Sequence, residues 1–364
     1  MSAADRRILI VKLADLGDLL LCEPAIRSLR TAFPAARIDL LVPPATAPLA
    51  HLLGHDLSVL TFPKSLFDNL TALARPNRFA QAVRLGLQLR RAHYDTVVVL
   101  HHLTTPGGAT KQRWLARATS AANVVGLDNG RGNFLTARDI DLGFGAKHEA
   151  TYMLDVARAA GGAPVDPAPQ VDRASVQRGP ALPADYAVIY PATGPYSSAR
   201  TWPVERYGAV ASALAADGLT PVVVGSRGEA QLGAHIRKAA PSTIDLMGAT
   251  SLPELAGVVT GARIVVGGDS FVGHLAAALD VPRVTIFGPS NRDAWRPWGS
   301  VDVDNVDIDS TFNGAVVYHD LPCQPCLYAG YRLGRPEGCP TRTCLDRVAV
   351  ADVLQAIDRI LKAS

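Results

Sequence analysis

Short apolar runs alternate with amphipathic stretches along most of the 364-residue chain. "RRILIVKL" is a continuous apolar run between basic residues, the pattern of a strand buried on both faces. "EPAIRSLRTAF" follows, with Pro24 where a first helical turn tolerates it and Ala25, Ile26, Leu29 and Phe33 on one side, so a helix is predicted. "ARIDLLV", "DTVVVLHH" and "ANVVGL" predict further strands, and "RFAQAVRLGLQLRRAHY" an amphipathic helix. The texture changes around 160–184, where "GGAPVDPAPQVDRASVQRGPALPAD" is rich in Pro, Gly and small polar residues and predicts a linker. The alternation then restarts. "YAVIYPA", "LTPVVVG", "RIVVGGD" and "PRVTIFG" predict strands, separated by the helical "PVERYGAVASALAAD", "RGEAQLGAHIRKAA", "SLPELAGVVTGA" and "FVGHLAAALD". A last helix aligns Val350, Val353, Leu354, Ile357 and either Ile360 or Leu361.

Strand–helix alternation on both sides of a linker predicts two doubly wound α/β domains, 1–170 and 184–345, followed by the helix at 346–364. Ligands of such sheets bind at the carboxyl ends of the strands. Asp18 lies in one such loop of the first domain, and segments 191–200 and 267–274 lie in equivalent loops of the second.

Composition narrows the function classes. With 48% hydrophobic residues, 19% charged residues and a net charge of +3, the chain is an ordinary globular protein with no charge run, and nucleic acid is not an expected partner. No stretch reaches the roughly 20 apolar residues that span a bilayer, and no secretory signal opens the sequence. A cytoplasmic protein is expected, with peripheral contact at the inner face of the plasma membrane left open. The arginines of the first domain's amphipathic helix region, Arg75, Arg78, Arg84, Arg90 and Arg91, are either such a contact or a solvated face.

Three loops of the second half can carry chemistry. After "RIVV", Gly267 and Gly268 precede Asp269, Ser270 and a helix; either the polar pair caps the helix, or the free N–H groups and dipole bind a phosphate. His274 is on a neighbouring helical position. In "YPATGPYSSARTWP", Thr193 and Gly194 are candidate phosphate donors, and Arg200 can pair with a diphosphate or lie on the surface. Glu229 follows a strand and Gly225; it can bind ribose hydroxyls or merely complement a helix start.

Near the C-terminus Cys323, Cys326, Cys339 and Cys344 read Cys-x2-Cys, twelve residues, Cys-x4-Cys. Four thiolates at this spacing can hold Zn or Fe structurally, the alternative being reduced thiols or disulfides. Cys22 stands apart.

The segments "ILIVKLADLGDLLLCEPAIRSLRTAFPAARIDLLV", "ARTWPVERYGAVASAL" and "GGDSFVGHLAAALDVPRVTIFGPSNRDAWRPWG" together resemble glycosyltransferase family 9, the heptosyltransferases, across both domains and in the right order. The resemblance implies a GT-B fold, two Rossmann-like domains facing across a cleft. It implies inverting transfer of a heptose from ADP-heptose to an acceptor hydroxyl, with no cofactor for catalysis. The acceptor would belong to lipopolysaccharide core or another glycolipid, a protein or a small molecule. By the same resemblance Asp18 is the catalytic base, which the bare pattern reads equally as a helix cap. Lys12, Asp15 and Gly17 would support it. Thr193, Gly194, Arg200, Asp269, Ser270 and His274 would hold the donor diphosphate, and Glu229 and Met247 the nucleoside. One branch of the family carries a four-cysteine iron site. The sequence departs from the family at Asp15, usually Ser or Thr, and at Phe271, usually Gly, which leaves less room beside the diphosphate. A nucleotide-sugar epimerase or hydrolase and a binding protein whose catalysis has lapsed are the alternatives.

Overall fold

The computed structural model describes residues 6–63, 76–194, 197–303 and 312–363. Arg75 lies outside them. The chain divides into two compact units, Met1–Gly143 with Glu149–Pro167, and Phe144–His148 with Ala168–Ser364.

Among the described residues the first unit is built on six strands, β1 (Arg7–Val11), β2 (Arg37–Val42), β3 (Ser58–Thr61), β4 (Thr96–Val99), β5 (Asn123–Asp128) and β6 (Ala137–Ile140). They lie in the order β3-β2-β1-β4-β5-β6, all parallel, with Ile8 opposite both Ile38 and Thr96. The connecting helices are α1 (Leu16–Leu20), α2 (Glu23–Ala32), α3 (Leu49–Leu53), α4 (Pro76–Arg91), α5 (Pro106–Thr119) and α6 (Glu149–Ala159). Ile8 to Val11 are all buried, as a central parallel strand requires. The strand order reverses direction between β1 and β4. The loops leaving those two strands therefore diverge and open a crevice at the carboxyl edge. Lys12 to Asp18 leave β1 there, and His101 and His102 leave β4.

The second unit repeats the plan with β7 (Tyr186–Tyr190), β8 (Thr220–Val223), β9 (Ile244–Asp245), β10 (Ile264–Gly268), β11 (Arg283–Ile286), β12 (Ser300–Asp302) and β13 (Gly314–Val317). Its parallel order is β12-β13-β11-β10-β7-β8-β9, so the switch falls between β7 and β10. Its helices are α7 (Val204–Ala216), α8 (Ala230–Ala239), α9 (Leu252–Thr260), α10 (Phe271–Ala278), α11 (Arg292–Trp295), α12 (Thr343–Asp346) and α13 (Val350–Ala363). Trp202 anchors the core: fully buried, it meets Tyr207 edge-on at 4.9 Å and donates its indole N–H to the Val348 carbonyl at 3.1 Å.

Two regions differ from the sequence reading. The resemblance to the GT-B heptosyltransferases implies a last helix that packs back on the first domain; instead Val353, Ala356, Ile357 and Ile360 enter the second unit's core, against α7, β11 and β13. The Pro/Gly-rich segment is also more than a tether. The Gln177 amide donates to the Pro253 carbonyl at 3.1 Å, and a Cβ on Gly257 of α9 would run into the Gln177 carbonyl. Glycine at 257 lets this irregular chain lie along the helix with its backbone hydrogen-bonded. The short strands β3, β6, β9, β12 and β13 have no counterpart in the sequence reading.

Candidate active site

In the first unit Asp18 sits half-buried in the first turn of α1. The cap position belongs to the exposed Asp15, whose side chain makes no capping bond, and Gly17 lies between them in the helix. Lys12, just past the end of β1, is buried. Burial works against its charge, but Cys22, Asp18 and Glu149 outweigh it and hold the ammonium above the ordinary lysine range. The Cys22 thiol donates to the Asp18 carbonyl at 3.2 Å and is pushed up to about 12, chiefly by burial, so it is no nucleophile at neutral pH.

Glu149 leads to a second buried charge that the sequence reading missed. The His102 ring bridges two carboxylates, with Nδ1 2.9 Å from Asp141 Oδ1 and Nε2 3.0 Å from Glu149 Oε1. Both ring nitrogens face acceptors, so the imidazolium satisfies both. Burial opposes that charge, yet Glu149 and Asp141 raise the pKa to about 9. Asp141 is held below the usual carboxylate range despite its burial, by His102, the Gly143 amide at 2.8 Å and the Asn129 side chain at 2.9 Å. Neighbouring His101 accepts from the Leu13 amide and fixes the loop leading to Asp18. The one local signal was the His-His pair closing a predicted strand.

In the second unit the loops after β7 and β10 meet at the switch. The Arg200 guanidinium donates to the Thr193 carbonyl at 2.7 Å and to the Asp269 carbonyl and carboxylate, each at 3.2 Å. Thr193 Oγ1 is 2.9 Å from Thr201 Oγ1. Gly194 has φ of +75° with open space where a Cβ would stand, so glycine relieves strain there. A Cβ on Gly267 would meet the Tyr190 carbonyl at 2.6 Å, which explains the glycine before the loop.

Ser270 occupies the cap position of α10, yet its hydroxyl caps nothing. Ser270 Oγ and His274 Nδ1 are buried with no hydrogen-bond partner among the described residues. Burial lowers the His274 pKa to about 4; Asp269 offsets part of this, while His148, Arg283 and Arg200 add to it. The ring is therefore neutral near pH 7 and can donate one N–H. A free hydroxyl, a neutral imidazole, a guanidinium and the open N-terminus of α10 together suit an anion. Phe271 is the first residue of α10 and is partly exposed.

Glu229 and Met247 adjoin each other over Gly225: a Cβ there would meet Met247 Cε at 2.7 Å and Glu229 Oε2 at 3.7 Å. Glu229 also closes a capping box, accepting from the Ser226 hydroxyl at 2.6 Å and amide at 3.1 Å. Tyr190, half-buried at the end of β7, feels both Glu229 and Arg200 and so ties this corner to the Arg200 cluster.

The four C-terminal cysteines line one cavity of about 270 Å³ together with Ala199 and Pro289. Among the described residues no three His, Cys, Asp or Glu side chains converge as a metal site. The loop nevertheless braces the Arg200 segment. Ser197 Oγ donates to the Pro336 carbonyl at 2.5 Å, and a Cβ on Gly338 would meet Ala199 Cβ at 2.5 Å. Among the described residues no helix is long and apolar enough to cross a membrane.

Two parallel-sheet Rossmann-like units, one with orphaned polar atoms gathered at its switch point, have the architecture of the GT-B glycosyltransferases. The chain belongs to glycosyltransferase family 9 (heptosyltransferase), whose model matches residues 82–308. It is 26% identical over 337 residues to lipopolysaccharide heptosyltransferase 1 of Pseudomonas aeruginosa, covering 88% of this chain and 86% of that protein. Its fold is similar to E. coli heptosyltransferase WaaC with ADP-2-deoxy-2-fluoro heptose, with TM-score 0.72, 20% identity and coverage of 97% of this chain and 99% of that one. It is also similar to the iron-containing dodecameric glycosyltransferase TibC of enterotoxigenic E. coli, with TM-score 0.55, 15% identity and coverage of 98% and 79%.

Proposed function

We propose that the protein transfers a heptose from ADP-heptose to an acceptor hydroxyl with inversion, in lipopolysaccharide core assembly. The observation that carries this reading is the cluster of Arg200, Thr193 and Asp269 beside Ser270 Oγ and His274 Nδ1, which are buried with no partner among the described residues. In the proposed step the acceptor oxygen bonds to the anomeric carbon as the carbon–oxygen bond to ADP breaks. The bond electrons leave with the diphosphate, and the acceptor proton passes to Asp18. Arg200, the Ser270 hydroxyl, the Gly194 amide and the first amides of α10 take up the charge that develops on the diphosphate. Lys12 sets a buried positive charge within the field of Asp18, with Asp15 and Gly17 completing its turn. Glu229 serves the ribose and Met247 the adenine. The chain's expected place is cytoplasmic, peripheral at the inner face of the plasma membrane, where a lipid-linked acceptor lies.

The four cysteines are proposed to hold a structural zinc or iron ion. Their chemistry suits either, since four sulfurs leave no open position for catalysis. Metal binding would draw the thiols together and stiffen the loop behind Arg200. Elemental analysis should find zinc or iron at one ion per chain; metal-free protein with four titratable thiols overturns this part.

The main test is direct. ADP should raise the melting temperature more than UDP or GDP at equal concentration. Purified protein with ADP-heptose and a lipopolysaccharide-core acceptor should release ADP and a heptosylated product, and donor alone should yield neither epimer nor hydrolysed sugar. Donor binding without transfer to any acceptor would overturn the assignment.

A further inference from the structure

Helix α4 carries a second apolar face. Ala82, Leu85 and Leu89 enter the first unit's interior, as an amphipathic helix should. Phe79, Val83 and Leu87, spaced four apart, form a stripe on another side and are 60%, 42% and 47% exposed. Isolated exposed apolar residues are ordinary, but three in register on one helix are not. Arg84, Arg90 and Arg91 border the stripe, and α4 contains no acidic residue.

The C-terminal end of this helix opens into an exposed cavity of about 410 Å³ lined by Arg7, Arg37, Arg84 and Arg91, with Leu87 at its edge. Asp39 is the one carboxylate in its wall, and it is already engaged. It accepts from Arg37 at 2.8 and 3.1 Å and from the Tyr94 hydroxyl at 2.5 Å. Arg7 is held through its side chain to the Ala92 carbonyl at 2.8 Å and through its amide to Asp95 at 2.8 Å. Arg84 and Arg91 are exposed, and neither side chain makes a hydrogen bond or ion pair among the described residues. Four arginines against one saturated carboxylate leave the cavity strongly positive.

We propose that α4 lies in the plane of an anionic phospholipid surface. The Phe79–Val83–Leu87 stripe enters the acyl boundary, and a lipid headgroup phosphate occupies the arginine cavity. An apolar stripe bordered by arginine is what an interfacial helix needs. A second copy of the chain is a poor occupant, because a two-fold contact would set each arginine row against its own image. The topology gives the arrangement a use. A crossover from β3 to the parallel β4 must return antiparallel to the strands. Phe79 is therefore toward the carboxyl edge of the sheet, where Asp18 lies, and Arg91 is about 18 Å further along the helix. The docking rests on the reading that the acceptor is lipid-linked.

The test is flotation of the purified full chain with vesicles of phosphatidylcholine alone or mixed with phosphatidylglycerol. The protein should float only with the mixed vesicles and release at high salt. The pair Arg84→Glu and Arg91→Glu should weaken partitioning by ~30-fold or more, from about 1 kcal/mol per surface arginine. The pair Phe79→Ser and Leu87→Ser should weaken it by ~10-fold or more. Both variants should keep the wild-type circular dichroism spectrum, ADP-induced thermal shift and turnover of a water-soluble acceptor. Equal binding to neutral vesicles, no binding to either, unchanged binding by both variants, or a vesicle-independent dimer abolished by the serine pair would each overturn the proposal. Docking can fail while soluble turnover persists, which separates this proposal from the assigned activity.

Discussion

The two switch-point regions solve opposite problems. In the first unit, charged groups at the carboxyl edge are buried and matched to one another: Lys12 with Asp18 and Glu149, and His102 with Glu149 and Asp141. In the second, Ser270 Oγ and His274 Nδ1 are buried and have no hydrogen-bond partner among the described residues, beside Arg200. A closed network fixes a side chain in one ionisation state. An open one has binding capacity that a ligand completes. The contrast supports the proposal that the second region binds the donor's anion, while the proton step is proposed for Asp18, which is only half-buried.

The largest expected effect breaks the first half of the contrast. Asp18→Asn should lower kcat by ~10²–10⁴-fold, the usual worth of a positioned base, while the ADP-induced thermal shift stays as in wild type. Substantial turnover by this variant would remove Asp18 from the proton step. Next, Arg200→Ala should weaken ADP binding by ~10–100-fold, measured by calorimetry, because it removes a charged donor and leaves Asp269 unpaired. Unchanged ADP affinity would show that the open region does not hold the diphosphate.

His102 gives a pH signature. Its folded pKa of about 9 lies above the ordinary imidazole value of 6.5, because burial is outweighed by Glu149 and Asp141, which flank the ring. The imidazolium's stabilisation is thus complete below about pH 6.5 and fades as pH rises through 9. The shift corresponds to about 3 kcal/mol. Urea unfolding of wild type and His102→Gln should therefore differ by a constant amount at low pH, and the gap should narrow between pH 6.5 and 9. A gap that widens with pH would mean that the ring is buried neutral. The smallest effect separates capping from binding at Ser270. A capping serine lost to alanine costs about 1 kcal/mol of stability. Because Ser270 caps nothing, Ser270→Ala should leave the melting temperature unchanged while weakening ADP several-fold.

Much of this was legible along the chain. The strands β1, β2, β4, β5, β7, β8, β10 and β11 follow from apolar runs, and the strand-end segments bearing Asp18, Thr193, Arg200 and Asp269 follow from glycines and polar residues there, although Asp18, read as a loop residue, lies in the first turn of α1. These signals are local, set by side-chain periodicity and backbone freedom within a few residues. The burial of the last helix in the second unit, the seating of residues 177–179 along α9, the His102 network and the arginine cavity were decided only in the tertiary structure. Each joins residues far apart in the chain: Lys12 to Glu149, His102 to Asp141, and Arg7 and Arg37 to Arg84 and Arg91. Local pattern places each such residue at a strand end or on a helix face. Which charges then meet, and so which are neutralised and which stay open to a ligand, depends on the order in which the strands assemble.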